Sequence, residues 1–305
     1  MTRPVARPVA LSGVVLKPAA GGRFEEIRMP NHSASLDSLS RISSSRLTRI
    51  ASDLTPLDRA VLRFVAQTRL CSGAQLERLF WSEGQPANRA RRARRALGQL
   101  TAWRVLDRQP RSVGGRRAGS RGFIYSLGPS GLRLLRRKRG AEVSPLLGVP
   151  GDQFVAHTLA ATGLVVRLHE AERAGTLDLI EVQTEPSCWR GFLGPMGARL
   201  ILKPDLFVRL GVGALEDRWM VELDLATEAT GALLTKVKRY QAHRLAGNEQ
   251  REHGIYPRVL WAVPDQRRIQ QVEAVLEQLP AETRRLFDVC RLDEAVPHLA
   301  AEASK

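Results

Sequence analysis

The chain has 305 residues, enough for two ordinary domains with a core each, and 43% of them are hydrophobic, as in a globular protein. No apolar run reaches the roughly 18 residues a membrane-spanning helix needs, and the opening MTRPVARPVALSGVVLKPAAGG is interrupted by Pro and Lys, unlike a signal peptide. The net charge of +16 is lopsided: residues 1–150 carry 28 Lys+Arg against 9 Asp+Glu, and residues 151–305 carry 19 against 22.

The basic half is therefore suited to a polyanion. No stretch looks like a membrane-surface helix with bulky apolar residues, so the expected partner is double-stranded DNA, not a membrane. Arginine outnumbers lysine 41 to 6, a ratio that GC-rich coding accounts for in the main. Cys71, Cys188 and Cys290 are widely spaced, with no metal-ligand pair and no disulfide framework, which fits a reducing cytoplasm.

Residues 1–50 are rich in Pro, Gly, Ser and Arg without apolar periodicity, and are expected to form a disordered basic arm. A folded unit is expected over residues 51–140. In LTPLDRAVLRFVAQTR, Thr55 is the N-cap and Pro56 the first helical residue, with Leu57, Val61, Leu62 and Val65 along one face. CSGAQLERLF gives a short second helix capped by Ser72. NRARRARRALGQLTAWRVL gives a third, with Ala93, Leu97, Leu100 and Val105 inward. Asn88, Arg89, Arg91, Arg92, Arg94 and Arg95 crowd its first half. LDRQPRSVGGRRAGSRGFIYSLG reads as a β-hairpin with a Gly/Arg-rich tip carrying Arg116, Arg117 and Arg121, flanked by Arg108 and Arg111. PSGLRLLRRKRG closes the unit as a helix. Three helices and a hairpin predict a winged helix-turn-helix: the third helix would enter the major groove and the hairpin arginines would hold phosphates or the minor groove.

Residues 141–152 read as a linker, and 153–300 as a second domain with the order α-β-β-β-α-β-α-β. Hairpin-linked strands followed by a β-α-β crossover predict a mixed sheet with helices on its faces, so the fold class is α+β. Alternation in WMVELDL puts Trp219, Val221, Leu223 and Leu225 on one face and Met220, Glu222 and Asp224 on the other. Adjacent carboxylates repel unless water or a cation compensates. Asp205, placed in a single strand over ARLILKPDLFVRLG, would complete an acidic cluster if the register sets it opposite. Such oxygen ligands suit Mg²⁺, with Mn²⁺ as a substitute. Lys236 and Tyr240, four apart on the following helix, share a face; Lys238 points elsewhere, and Lys203 is a second candidate. His157 and Glu172 lie on the first helix of this domain, where Glu172 is a minor candidate for a further acid. Glu228 is expected to stabilise a helix start. The remaining histidines lack zinc spacing, and no phosphate-binding Gly-rich loop occurs.

KPD at 203–205, ELD at 222–224 and this element order resemble the PD-(D/E)xK nuclease superfamily. The resemblance implies a restriction-endonuclease-like α/β fold, with Asp205 and Glu222 as metal-binding acids. The superfamily's lysine position, two residues after the second acid, holds Asp224 here. Some members carry that lysine on the next helix, which implies Lys236. The winged-helix stretch followed by LKPDLFV, VELDLATEA and KVKRYQAH resembles the bacterial replication-relaxation family over residues 54–265. That resemblance implies a setting on plasmids or mobile elements, with a relaxase or replication protein as partner. Two functions stay open at this point. One is a metal-dependent nickase that processes DNA for replication or transfer. The other is a non-catalytic regulator or accessory factor whose second domain serves dimerisation or partner binding.

Overall fold

The computed structural model describes residues 42–113, 122–136, 150–226 and 229–302. Most of the basic arm and of the linker therefore lies outside the described residues, and so do the hairpin tip with Arg116, Arg117 and Arg121 and the acid Glu228. The end of the arm is corrected. Residues Ser44–Asp53 form a helix, α1, capped by Ser43, and its Leu47 and Ile50 are buried. Spaced three apart, they give α1 one apolar edge, which a serine-rich composition conceals.

α2 (Pro56–Thr68) starts as expected, with Thr55 and Asp58 closing a reciprocal capping box and Pro56 in the first turn. A two-residue strand, β1 (Cys71–Ser72), leads into α3 (Gly73–Phe80), where Ser72 and Gln75 form a second capping box. α4 (Pro86–Ala102) buries Ala93, Leu97 and Leu100. β2 (Leu106–Val113) and β3 (Gly122–Leu127) pair antiparallel, and β1 adds to β3 to make a three-stranded sheet.

α5 (Pro129–Arg136) is stitched to the end of α4 by backbone bonds, from Gly128 N to Val105 O and from Ser130 N to Arg104 O, both 2.9 Å. The approach requires glycine. A Cβ at Gly131 would lie 2.3 Å from Val105 O. Gly131→Ala is expected to lower stability by about 1–3 kcal/mol, the usual range for overpacking, measured as a fall in urea midpoint. An unchanged midpoint would show that the loop gives way freely.

α6 (Asp152–Arg173) is the longest helix among the described residues. β4 (Asp178–Thr184), β7 (Leu206–Val212) and β8 (Leu215–Leu223) run antiparallel; β9 (Arg258–Val263) and β10 (Phe287–Arg291) then extend β8 in parallel. The sheet order is β10-β9-β8-β7-β4, the mixed sheet expected. α7 (Thr230–Ala246), α8 (Asn248–His253), α9 (Gln266–Leu276) and α10 (Ala281–Arg284) connect the later strands, and α11 (Ala295–Glu302) follows the last.

The single strand expected over residues 198–211 is instead two. β5 (Arg190–Leu193) and β6 (Arg199–Leu202) form a separate two-stranded sheet, and Lys203-Pro204-Asp205 breaks the chain before β7. Pro204 lacks the N–H that continuous pairing needs, which explains the break.

One face of the sheet, with Leu206, Val208, Trp219, Val221 and Leu223, packs in the same cluster as Leu164, Val165 and Leu168 of α6. That cluster continues without interruption into Val61, Val65, Leu76 and Leu97 of the N-terminal half. The other face, with Phe207, Met220 and Trp261, is covered by Leu233 and Val237 of α7 and Ile269 and Val272 of α9. Polar contacts reinforce the junction of the halves. Thr162 Oγ1 donates to Leu70 O at 2.8 Å, Gln67 Nε2 to Val182 O at 2.8 Å, and the Arg78 guanidinium grips both oxygens of Glu170.

Candidate functional site

Two carboxylates meet where β7 begins and β8 ends. Leu206 pairs with Val221, and Asp205 N donates to Val221 O at 3.0 Å, so the ladder carries one step past β7 and sets Asp205 level with Glu222. The expected register therefore holds, although Asp205 sits in the break and not within a strand. Both acids are buried, Asp205 to 7% exposure and Glu222 to 1%.

Each is engaged by internal donors. Glu222 Oε1 accepts from the Tyr240 hydroxyl at 2.6 Å, and Oε2 accepts from Lys236 Nζ at 2.9 Å. The four-residue spacing on α7 delivers both side chains to the same carboxylate. Asp205 Oδ2 accepts from Leu223 N at 2.6 Å and lies 3.3 Å from His157 Nε2, which is also 3.1 Å from Leu223 O. Burial pushes the Glu222 carboxyl up; Lys236 pulls it back, Asp205 adds to the rise, and the net direction is upward. The hydrogen bond to Asp205 holds the His157 imidazole up at about 9, against the opposing effect of burial. Glu185, beside Asp205 and His157 in a small cavity that Arg69 also lines, is raised by burial and by the Asp205 charge.

Asp224 goes elsewhere. β8 ends at Leu223, so Asp224 no longer follows strand alternation. Its Oδ2 takes Arg268 Nε at 2.8 Å and Nη2 at 2.6 Å, and its Oδ1 accepts from Ala226 N at 2.8 Å. Asp224 and Arg268 are both buried. This carboxylate anchors α9 and the turn after β8, and the lysine that reaches the acids is Lys236, on Glu222. The second lysine candidate, Lys203, stacks on the Trp189 ring at 4.4 Å. Lys238 is exposed. Glu172 pairs with His169 at 3.1 Å, and the residue α6 sends to the acids is His157.

Sequence reasoning gave His157 no role. Its one signal is spacing, because it falls on the stripe of Phe154, Ala161 and Leu164 that α6 turns inward. Arg268 carried no signal, because its partner lies 44 residues away.

A divalent ion needs several oxygen ligands that can turn toward it. Here both oxygens of Glu222 already hold donors, and one oxygen of Asp205 holds two. Among the described residues no three His, Cys, Asp or Glu side chains are grouped to hold a metal. As arranged, the residues do not fit a divalent ion.

The basic surface lies on α4. Asn88, Arg91, Arg92, Arg94 and Arg95 are exposed and Arg89 is half-buried. Arg89 Nη1 donates to Ser82 O at 3.0 Å, Arg92 folds onto Glu83 O, and Arg91 donates to Asn88 Oδ1 at 2.6 Å. Arg94 and Arg95 extend outward on the next turn. On the hairpin, Arg108 stacks on the half-exposed Phe123 at 4.3 Å.

The cysteines are all free and buried; burial raises Cys71 and Cys290 to about 12, so neither is a nucleophile near neutral pH. No helix among the described residues is long and apolar enough to cross a membrane.

No curated protein and no solved structure matches the chain. The replication-relaxation family model matches residues 62–259, a span that contains α4, His157, both acids, Lys236 and Tyr240. With most of its length inside that match, the chain belongs to the replication-relaxation family.

Proposed function

We propose that this protein binds double-stranded DNA of a plasmid or other mobile element and serves its replication or transfer as an accessory factor. The N-terminal half acts as a winged helix: the order α2-β1-α3-α4-β2-β3 is the one such a domain requires, and α4 presents its arginines outward. The C-terminal half is a restriction-endonuclease-like scaffold that holds DNA or a partner and does not cut. A replication protein, a relaxase or a second copy of this chain is the partner class implied.

The observation that carries this reading is the saturation of Glu222 by Tyr240 and Lys236 at 1% exposure. A carboxylate whose two oxygens are already bonded has none to offer a catalytic metal ion. The meeting of Asp205, Glu222 and Lys236 favours the second reading, a metal-dependent nickase in which Lys236 stands in for the missing strand lysine.

Supercoiled plasmid incubated with the purified chain and Mg²⁺ or Mn²⁺ decides between them. The expected result is no nicked circle, with gel-shift binding intact in EDTA. Nicking that disappears in Asp205→Ala would establish the nickase instead. In the same binding assay, Arg94→Ala with Arg95→Ala should weaken binding and reduce the salt slope by about 2, since each lost phosphate contact removes roughly 0.9. An unchanged slope would remove α4 as the phosphate-binding face.

A further inference from the structure

We propose that the Lys236 ammonium is the built-in cation on the Glu222 side of the acid pair, as His157 is the partner on the Asp205 side. The ammonium holds the charge-balancing position a divalent ion would take, and removing its charge turns Asp205 and Glu222 into a divalent-cation site. The inference rests on reading the C-terminal half as a non-cutting nuclease-like scaffold.

Three observations lead to it. Asp205 and Glu222 are level across the β7–β8 ladder and buried, and two carboxylates so placed need a compensating positive charge. Lys236 Nζ supplies one at 2.9 Å, bonded to the carboxylate itself. It arrives from α7, outside the sheet, on a side chain 32% exposed, so its removal opens a route from solvent to Glu222 Oε2. The remaining partners, Tyr240 on Oε1 and Leu223 N with His157 Nε2 on Asp205 Oδ2, fix the orientation of both carboxylates without Lys236. A lysine-free site therefore keeps two held acids and gains one open oxygen, the donor type that Mg²⁺ and Mn²⁺ accept. Tyr240 plays a positioning part only, because its buried hydroxyl is committed to Glu222.

The test uses the full chain, stripped with chelator, at pH 8, with Mn²⁺ alone as the probe. Free Mn²⁺ is followed by electron paramagnetic resonance. Lys236→Met removes the charge at similar length; Lys236→Arg retains it. Circular dichroism and thermal melting report folding. The wild type and Lys236→Arg are expected to bind no Mn²⁺ at the acids. Lys236→Met should gain one site at least tenfold tighter than any wild-type binding, lost again when Asp205→Asn is added. A folded Lys236→Met that binds no better than wild type would overturn the proposal. So would a wild-type Mn²⁺ site abolished by Asp205→Asn, a measurement that stands even if Lys236→Met fails to fold. Nicking assays in parallel separate the two readings: Mn²⁺ held by wild type without cleavage overturns this inference alone, whereas cleavage overturns the proposed function.

Discussion

Asp224→Ala should be among the most damaging single changes in the C-terminal half, lowering stability by about 3–5 kcal/mol, the range for breaking a buried ion pair from one side. The loss comes from what is left behind. Arg268 is 6% exposed, and without Asp224 its guanidinium keeps Gln271 at 2.9 Å but loses its two bonds to the carboxylate. Ala226, held at a φ of 60° with its N–H on Asp224 Oδ1, also loses its partner. Urea denaturation of the single variants and of Asp224→Leu with Arg268→Met measures the coupling. The double variant should recover most of the loss, because apolar residues of similar size need no solvation. A single-variant loss below about 1 kcal/mol would show that this carboxylate does not anchor α9.

His157 should make stability depend on pH in the alkaline direction. Its folded value is raised to about 9 from 6.5, so the stabilisation is fully present below about pH 6.5 and is lost as pH rises through about 9. The shift corresponds to about 3 kcal/mol at 1.36 kcal/mol per unit. With the side chain 32% exposed, solvent screening reduces this to about 2 kcal/mol. Glu222 acts in the same direction at lower pH. It is raised by burial, so its neutral form is favoured in the fold and it costs stability as it ionises. Chemical denaturation at pH 6.5, 8 and 9.5 should show a falling midpoint for wild type and a flatter profile for His157→Gln across the upper half of that range. Parallel profiles for the two proteins would mean that Asp205 does not hold the imidazolium.

Much of the fold was legible because it is written in local rules. Thr55 with Pro56 and Ser72 with Gln75 are capping patterns confined to four residues. The alternation in β8 placed Trp219 and Val221 on one face and Met220 and Glu222 on the other, as observed. The sequence did not show where alternation ends. Asp224 looked like a partner of Glu222 only while the strand was assumed to continue; it ends at Leu223, and the Asp224 carboxylate turns to Arg268 on α9, distant in sequence. The α1 helix was missed because two apolar residues among serines and arginines become a helix face only when a core receives them. Helical spacing put Lys236 and Tyr240 on one face and the superfamily resemblance pointed that lysine at the acids, whereas the encounter of His157 with Asp205 needed the packing of α6 on the sheet.

The shared use of α6 bears on how the two halves hold together. One side of this helix is bonded to the basic half through Thr162 and Glu170, and the sheet carrying the acids packs against the same apolar cluster. Leu97 of α4 and Leu206, next to Asp205, belong to one apolar cluster. Cutting the chain near residue 150 to isolate the basic half would strip Leu70 and Ile124 of Val155 and bare an oily surface. The halves are packed around a common core, not joined as a head on a tether.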